Sequence, residues 1–373
     1  MKKLYCIILM IFILAAIPVR AELFVSAKSC ILIEALTGKV LYEKNADAVL
    51  PMASTTKLFT ALMIRECCAL DDKVTVSLSA AQTEGSSAHL KSGECLTVEQ
   101  LLYALLLSSG NDAAEVLAEH VFDGNREQFI DHMNQQADKL GLINTHFANP
   151  SGLPNDEHFT TARELARIGQ LASNDPVISR IAATKNISFS TADNNIHSYT
   201  NHNSLLRMYP YATGLKTGYT KAAGRCLVSS AEKDGVKLIC VTLNAPDDWN
   251  DHMRLFEYGF SHVSMTCRYN THDIKVPVKV MGGIKDEITA YNAVPIFLPD
   301  IENKEGYQIQ YMIEPVVFAP IIEGQTVGKC CVLSDGRILS YFDLVADSDV
   351  DAISAADRSF IKELKRIFKF LLL

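Results

Sequence analysis

The chain has 373 residues, 48% of them apolar and 21% charged, enough for a large core and more than one average domain, which excludes a disordered or low-complexity chain. Its net charge of -8, with no cluster of Lys and Arg in the body, excludes nucleic acid as the main partner, because phosphate binding rests on clustered cations.

The first residues, MKKLYCIILMIFILAAIPVRAELF, place Lys2 and Lys3 before an apolar run from Leu4 to Ile17, followed by Val19 and Ala21. That is the form of a secretory leader cleaved after Ala21, and the run is short for a membrane span. Residues 1–21 are therefore expected to be a signal peptide and the body to be exported. Of ten cysteines, Cys6 leaves with the leader. The remainder show no Cys-x-x-Cys, and the adjacent pairs Cys67-Cys68 and Cys330-Cys331 are poor ligand sets for one metal. Most lie in apolar runs, so burial as small hydrophobes is expected, with no metal and no cofactor.

SCILIEALTGKVLYEKNAD reads as two strands around Thr37-Gly38. A helix then begins near Ser54 and runs to about Cys68, and its start, ASTTK, supplies hydroxyls suited to capping. TVEQLLYALLLSSGNDAAEVLAEHV reads as a helix, a break at Ser109-Gly110, and a second helix with a fresh Asn or Asp cap. NREQFIDHMNQQADKLG is a helix closed by Gly141, and TARELARIGQLAS follows a loop, NPSGLPNDEHF, as another. Beyond residue 210 the period falls from near four to two, and GRCLVSSAEKDGVKLICVTLNA is two strands around Asp234-Gly235.

Strands at both ends of a segment whose middle is helical predict one antiparallel sheet with a helical subdomain against it, over residues 22–262. Short runs such as IKVPVKV, YQIQYMIEP and KCCVLSDGRILSYFDLV predict a small separate β domain over residues 263–350. In the tail, residues 351–373, Phe360, Ile361, Leu364, Ile367, Phe368, Leu371 and Leu372 share one helical face. Lys362, Lys365, Arg366 and Lys369 share the other. This is a basic amphipathic helix suited to an anionic membrane surface.

The Ser-x-x-Lys of Ser54 to Lys57 recurs at Ser359 to Lys362, so the spacing alone says nothing, and that copy belongs to the tail. Ser109-Gly110-Asn111 on its own is an ordinary turn, and Lys216-Thr217-Gly218 an ordinary strand end where glycine permits close approach of a ligand. Their order changes the weight. Ser-x-x-Lys, Ser-x-Asn and Lys-Thr-Gly are the set found in serine β-lactamases and penicillin-binding proteins. Through ASTTKL, LLYALLLSSGNDAAEVLAE, ANPSGL, FTTARELARI and TGLKTGYTKAAGRCLVSSA the chain resembles the low-molecular-mass penicillin-binding proteins, specifically the D-alanyl-D-alanine carboxypeptidases. The likeness is close from about residue 25 to 260 and looser beyond.

The resemblance implies an α/β (α+β) β-lactamase/transpeptidase-like fold, and removal of the terminal D-alanine from peptidoglycan stem peptides ending in D-Ala-D-Ala. It implies Ser54 as acylated nucleophile, Lys57 as its base and Ser109 as proton relay. Asn111 would orient Lys57 and hold the substrate amide, while Lys216 and Thr217 would take the terminal carboxylate. Gly218 would allow close approach, and the backbone N–H groups of Ser54 and Tyr219 would form the oxyanion hole. β-Lactams would acylate the same serine. The chemistry is consistent with the residue types. A lysine serves as base only when neutral, a nearby ammonium such as Lys216 disfavours its charge, and positions i and i+3 share a helix face.

Two other functions stay open on the sequence. A secreted serine β-lactamase would carry a deacylating glutamate in a Glu-x-x-Leu-Asn loop, and THFANPSGLPNDEHFTTARELARI has no such spacing. A catalytically silent wall-binding protein would have lost at least one motif residue, and all are present.

Overall fold

The computed structural model describes residues 23–191, 193–301 and 306–354. The expected leader and the amphipathic stretch of the tail, Ser359 included, lie outside the described residues.

The N-terminal hairpin forms as its pattern predicts. β1 (Ser29–Glu34) pairs antiparallel with β2 (Val40–Lys44), and Gly38 turns between them at φ 74°. After residue 210 the chain returns to the same sheet with β3 (Ala212–Thr220), β4 (Gly224–Lys233) and β5 (Val236–Leu243). Cys30 of β1 stands opposite Thr242 of β5, and the antiparallel order is β2-β1-β5-β4-β3. Asp234 and Gly235, at φ 51° and 80°, make the tight turn between β4 and β5, a geometry that Asp-Gly favours.

The two-residue period then sorts side chains by face. Ile31, Ile33, Val228, Ile239 and Val241 point into the larger core. Cys30, Leu32, Leu227, Leu238 and Cys240 point the other way. Every residue of β1 is buried, as in a strand covered on both sides.

The larger core is closed by the expected helices: α1 (Lys57–Cys67), α2 (Val98–Leu107), α3 (Asn111–Val121), α4 (Arg126–Lys139) and α5 (Ala162–Asn174). Thr97 and Gln100 form a capping box on α2, Asn125 caps α4 and Thr161 caps α5. The Asn or Asp cap expected for α3 does not form. Gly110 stands at that position, because the Asn111 side chain bonds Lys57 and Glu84, and Asp112 accepts the N–H groups of Ala88 and Leu90.

The second face is covered by α6 (Asp248–His262), which brings Leu255 and Phe256 onto it. No helix was expected there. Nor were the short helix Pro176–Ala183 or the hairpin of Asn186–Ser190 with Ile196–Thr200. From Val263 onward the described chain is strands and turns. Val263–Tyr269 pairs with Ile296–Ile301, and six further strands form a second sheet around its own core. Five of the nine described cysteines, Cys30, Cys226, Cys240, Cys330 and Cys331, are buried, whereas Cys67, beside Glu66, and Cys267, beside Arg268, are exposed.

Candidate active site

Ser54 belongs to a single 3-10 turn, Ala53–Thr56, that leads into α1. Neither the turn nor α1 has a side-chain cap, so the hydroxyls of ASTTK do not cap. Two of them brace the turn instead: Thr55 Oγ1 donates to the Met52 carbonyl at 2.6 Å and Thr56 Oγ1 to the Ala53 carbonyl at 2.7 Å. His158 holds the same turn from outside. Its Nδ1 accepts the Ala148 N–H at 3.0 Å, which leaves Nε2–H to donate to Thr56 Oγ1 at 2.7 Å. Burial pushes this imidazole down to about 4, so it stays neutral in the tautomer those bonds require.

Two glycines let neighbouring backbone close on the turn. A Cβ on Gly218 of β3 would lie 3.0 Å from the Ser54 nitrogen, and one on Gly152 would lie 2.0 Å from the Ala53 oxygen. The close approach at Gly218, expected for a ligand, is therefore made in part by the protein's own serine turn.

One helical turn on, Lys57 is completely buried. Its Nζ lies 3.1 Å from Ser54 Oγ, 2.7 Å from Asn111 Oδ1 and 2.5 Å from the Ser151 carbonyl oxygen. Burial first, and the nearby Lys216 second, push the Lys57 amine well below its usual range. A neutral amine has two N–H bonds and one lone pair. Asn111 Oδ1 and the Ser151 oxygen can only accept, so they take both N–H bonds and leave the lone pair facing the Ser54 hydroxyl.

The break between α2 and α3 sets the opposite wall. Ser109 adopts φ 59° there and lines the same cleft as Ser54. Asn111 is fixed at both ends of its amide, with Oδ1 on Lys57 and Nδ2 donating to the Glu84 carbonyl at 2.7 Å. On the third side is β3, an edge strand, with Thr217, Gly218 and the 66% exposed Tyr219 lining the cleft. Lys-Thr-Gly thus lies in mid-strand and not at a strand end. Lys216 is buried beneath, donates to the Thr217 carbonyl at 2.9 Å, and is pushed down to about 7 by burial.

All eight singled-out residues, Ser54, Lys57, Ser109, Asn111, Lys216, Thr217, Gly218 and Tyr219, thus converge on one place. Several neighbours were not foreseen. Arg225 and Trp249 line the cleft, with the Arg225 guanidinium held by Asp248 at 2.7 Å and stacked over the Trp249 ring at 5.3 Å. Ser86 and His202 line both this cleft and a larger one of 620 Å³ running along the hairpin of Ile196–Thr200. Arg225, Ser151 and Gly152 sit inside stretches that carried the resemblance, AGRCLV and NPSGL, but nothing in their residue types marked them.

An amine this dry costs stability that an apolar side chain would not, and here it is spent facing a serine hydroxyl. A serine beside a buried lysine, with Ser-x-Asn and Lys-Thr-Gly around it, is the arrangement of the class of serine β-lactamases and penicillin-binding proteins. Residues 17–247, more than half of the chain, match the family described as D-alanyl-D-alanine carboxypeptidase, and the chain belongs to that family. Residues 269–352 match the C-terminal domain of penicillin-binding protein 5. The chain is 33% identical over 358 residues to the D-alanyl-D-alanine carboxypeptidase DacF of Bacillus subtilis, covering 93% of this chain and 90% of that one. Among solved structures it resembles the D-alanyl-D-alanine carboxypeptidase DacD of Francisella tularensis, at 26% identity and TM-score 0.63 over 89% of this chain and 95% of that one. It also resembles the Streptomyces K15 DD-transpeptidase, at 33% identity and TM-score 0.61 over 64% and 98%.

Proposed function

We propose that this chain is a serine D-Ala-D-Ala carboxypeptidase that removes the terminal D-alanine from peptidoglycan stem peptides. The observation that carries this reading is the Lys57 amine, stripped of water, with both N–H bonds engaged and its lone pair against Ser54 Oγ. Lys57 takes the hydroxyl proton as Ser54 attacks the carbonyl between the two D-alanines. The N–H groups of Ser54 and Tyr219 hold the oxyanion, each worth about 3 kcal/mol of barrier. The C–N bond breaks as the proton passes from Lys57 by way of Ser109 to the leaving amine. Lys57, neutral again, activates the water that frees the acyl group.

Thr217 and Arg225 meet the terminal carboxylate at the cleft surface, with the Lys216 cation beneath them. That requirement selects chain ends over mid-chain bonds. The rest of the stem peptide runs into the larger cleft through Ser86 and His202. Penicillin acylates Ser54 and stays. The carboxylate that lines the serine cleft, Asp248, is tied to Arg225, so no free carboxylate among the described residues there activates a water as in a drug-hydrolysing enzyme.

The protein works outside the cytoplasm, with residues 1–21 as leader, residues 22–262 as catalytic domain, residues 263–350 as a spacer and residues 351–373 on the membrane surface. The comparisons with wall enzymes and the sequence of the two ends support this. Among the described residues no helix is long and apolar enough to cross a membrane.

The test is incubation with a fluorescent penicillin, followed by release of D-alanine from a D-Ala-D-Ala peptide with and without an acceptor amine. Stable label on Ser54 and free D-alanine as the main product are expected. No label supports a silent protein, rapid drug turnover a β-lactamase, and a dominant cross-linked product a transpeptidase. Deleting residues 360–373 should move the protein out of the membrane fraction.

A further inference from the structure

Helices α1 and α3 meet twice. Their first residues meet at the cleft, where Lys57 Nζ donates to Asn111 Oδ1. Each helix has eleven residues and so runs about 16 Å. At the far ends, Cys68 closes α1, His120 sits in the last turn of α3, and Asp72 comes from the turn after α1. One donor atom from each, the Cys68 sulfur, an Asp72 oxygen and a His120 ring nitrogen, lie within 4.8 Å of one another. We propose that Cys68, Asp72 and His120 form a binding site for a divalent cation of borderline softness, zinc before others, that clamps the far end of the helix pair carrying Lys57 and Asn111.

The donor set decides the class of ion. Thiolate and imidazole suit zinc and its neighbours, whereas calcium and magnesium need a shell of oxygens that is not present here. Three protein ligands leave a fourth tetrahedral position for water. Around zinc such ligand atoms stand roughly 3.3–3.8 Å apart, so the present spacing, within 4.8 Å, has to close by about an ångström.

Part of the site is already fixed. Asp72 Oδ2 accepts the Ala69 N–H at 2.9 Å, and the Asp72 backbone is held by Ala69 and Val98, which leaves the other carboxylate oxygen for a ligand role. Among the described residues the Cys68 thiol and the His120 ring make no hydrogen bond that an ion would have to break. All three side chains are half-buried, open enough for an ion to enter. The adjacent Cys67 does not compete, since its sulfur faces His132 Nε2 on α4 at 3.9 Å. Spacing in the sequence concealed this set, because its members come from three separate segments. Binding releases the thiol proton to solvent.

The reduced, full-length protein is titrated with cobalt(II), followed by displacement with zinc. One equivalent should bind with thiolate-to-cobalt charge-transfer absorption, and zinc should abolish that band and raise Tm. Cys68→Ser should remove both effects and His120→Ala should weaken binding about tenfold or more, while Cys67→Ser should leave both in place. Penicillin labelling of Ser54 shows that each variant is folded. The proposal is overturned if no band forms in the parent protein, if the Cys68→Ser variant keeps it, or if only Cys67→Ser removes it.

Discussion

Lys57 and Lys216 are two buried amines within electrostatic reach of each other, and the proposed chemistry asks opposite things of them. Lys57 must be neutral to take a proton, so acylation rises with pH as that amine empties. Lys216 must be charged to attract the substrate's carboxylate. Burial lowers it to about 7, so in the free enzyme its cation is lost as pH rises through that value. The kcat/KM for a D-Ala-D-Ala peptide should therefore fall above about pH 7, while kcat falls less because bound carboxylate holds the proton on. Lys216→Arg keeps its charge at any working pH and should move the falling limb up by more than about one unit. A limb that stays put would remove Lys216 from substrate binding. Arg225 is the exposed partner in the same task, aimed by Asp248 and Trp249. Arg225→Ala should cost roughly 10- to 100-fold in kcat/KM, the worth of one charge-assisted hydrogen bond, mainly through KM. An equal loss on a substrate without a terminal carboxylate would contradict that role.

The element that positions Ser54 is a four-residue turn with Ala53 at φ 49°, and it holds because His158, Thr56 and two glycines leave it nowhere to relax. His158→Leu keeps the volume but orphans the Ala148 N–H and removes the donor to Thr56. This should cost about 1–3 kcal/mol of stability and lower the rate of penicillin acylation, whereas His158→Gln, which can both accept and donate, should restore part of each. A stability loss with unchanged acylation rate would make the histidine a core residue and nothing more. Nothing in NDEHF marks His158 as special, because its partners lie ten residues and about a hundred residues away. The same limit hid α6. Two residues that face the core there are polar: Asp251 is held by Ser26 and Ala27, and His252 by Ser229 and Thr242. These two buried polar groups interrupt the apolar stripe that Leu255 and Phe256 otherwise continue, so the stripe alone does not announce the helix. Helices α2 and α4 and the β4–β5 hairpin were legible because their caps and turn are local, at Thr97, Asn125 and Asp234-Gly235.

Over the whole molecule, the shift of period beyond residue 210 was enough to place the distant strands in one sheet. Where the catalytic part ends is a question of which core each side chain joins. Every buried member of the larger core lies between Ile31 and Leu243. The second-face core reaches beyond His262 with only two buried residues, Val263 and Ile301, which are 5% and 9% exposed. A chain of residues 22–262 keeps both walls of the serine cleft, the whole of α6 and all five strands of the first sheet. It should therefore fold and be labelled by penicillin on Ser54. It loses the cover that Val263 and Ile301 provide, worth about 3 kcal/mol. For a domain of this size that is roughly 6–12 °C in Tm, and restoring the core with Val263 alone cannot recover it, since the strand that buries Val263 is Ile296–Ile301. Scanning calorimetry of the two lengths, with penicillin labelling alongside, measures both quantities. A short chain that fails to label would mean that the β domain is part of the catalytic fold, and one with unchanged Tm would mean that the contact through Val263 and Ile301 carries no stability.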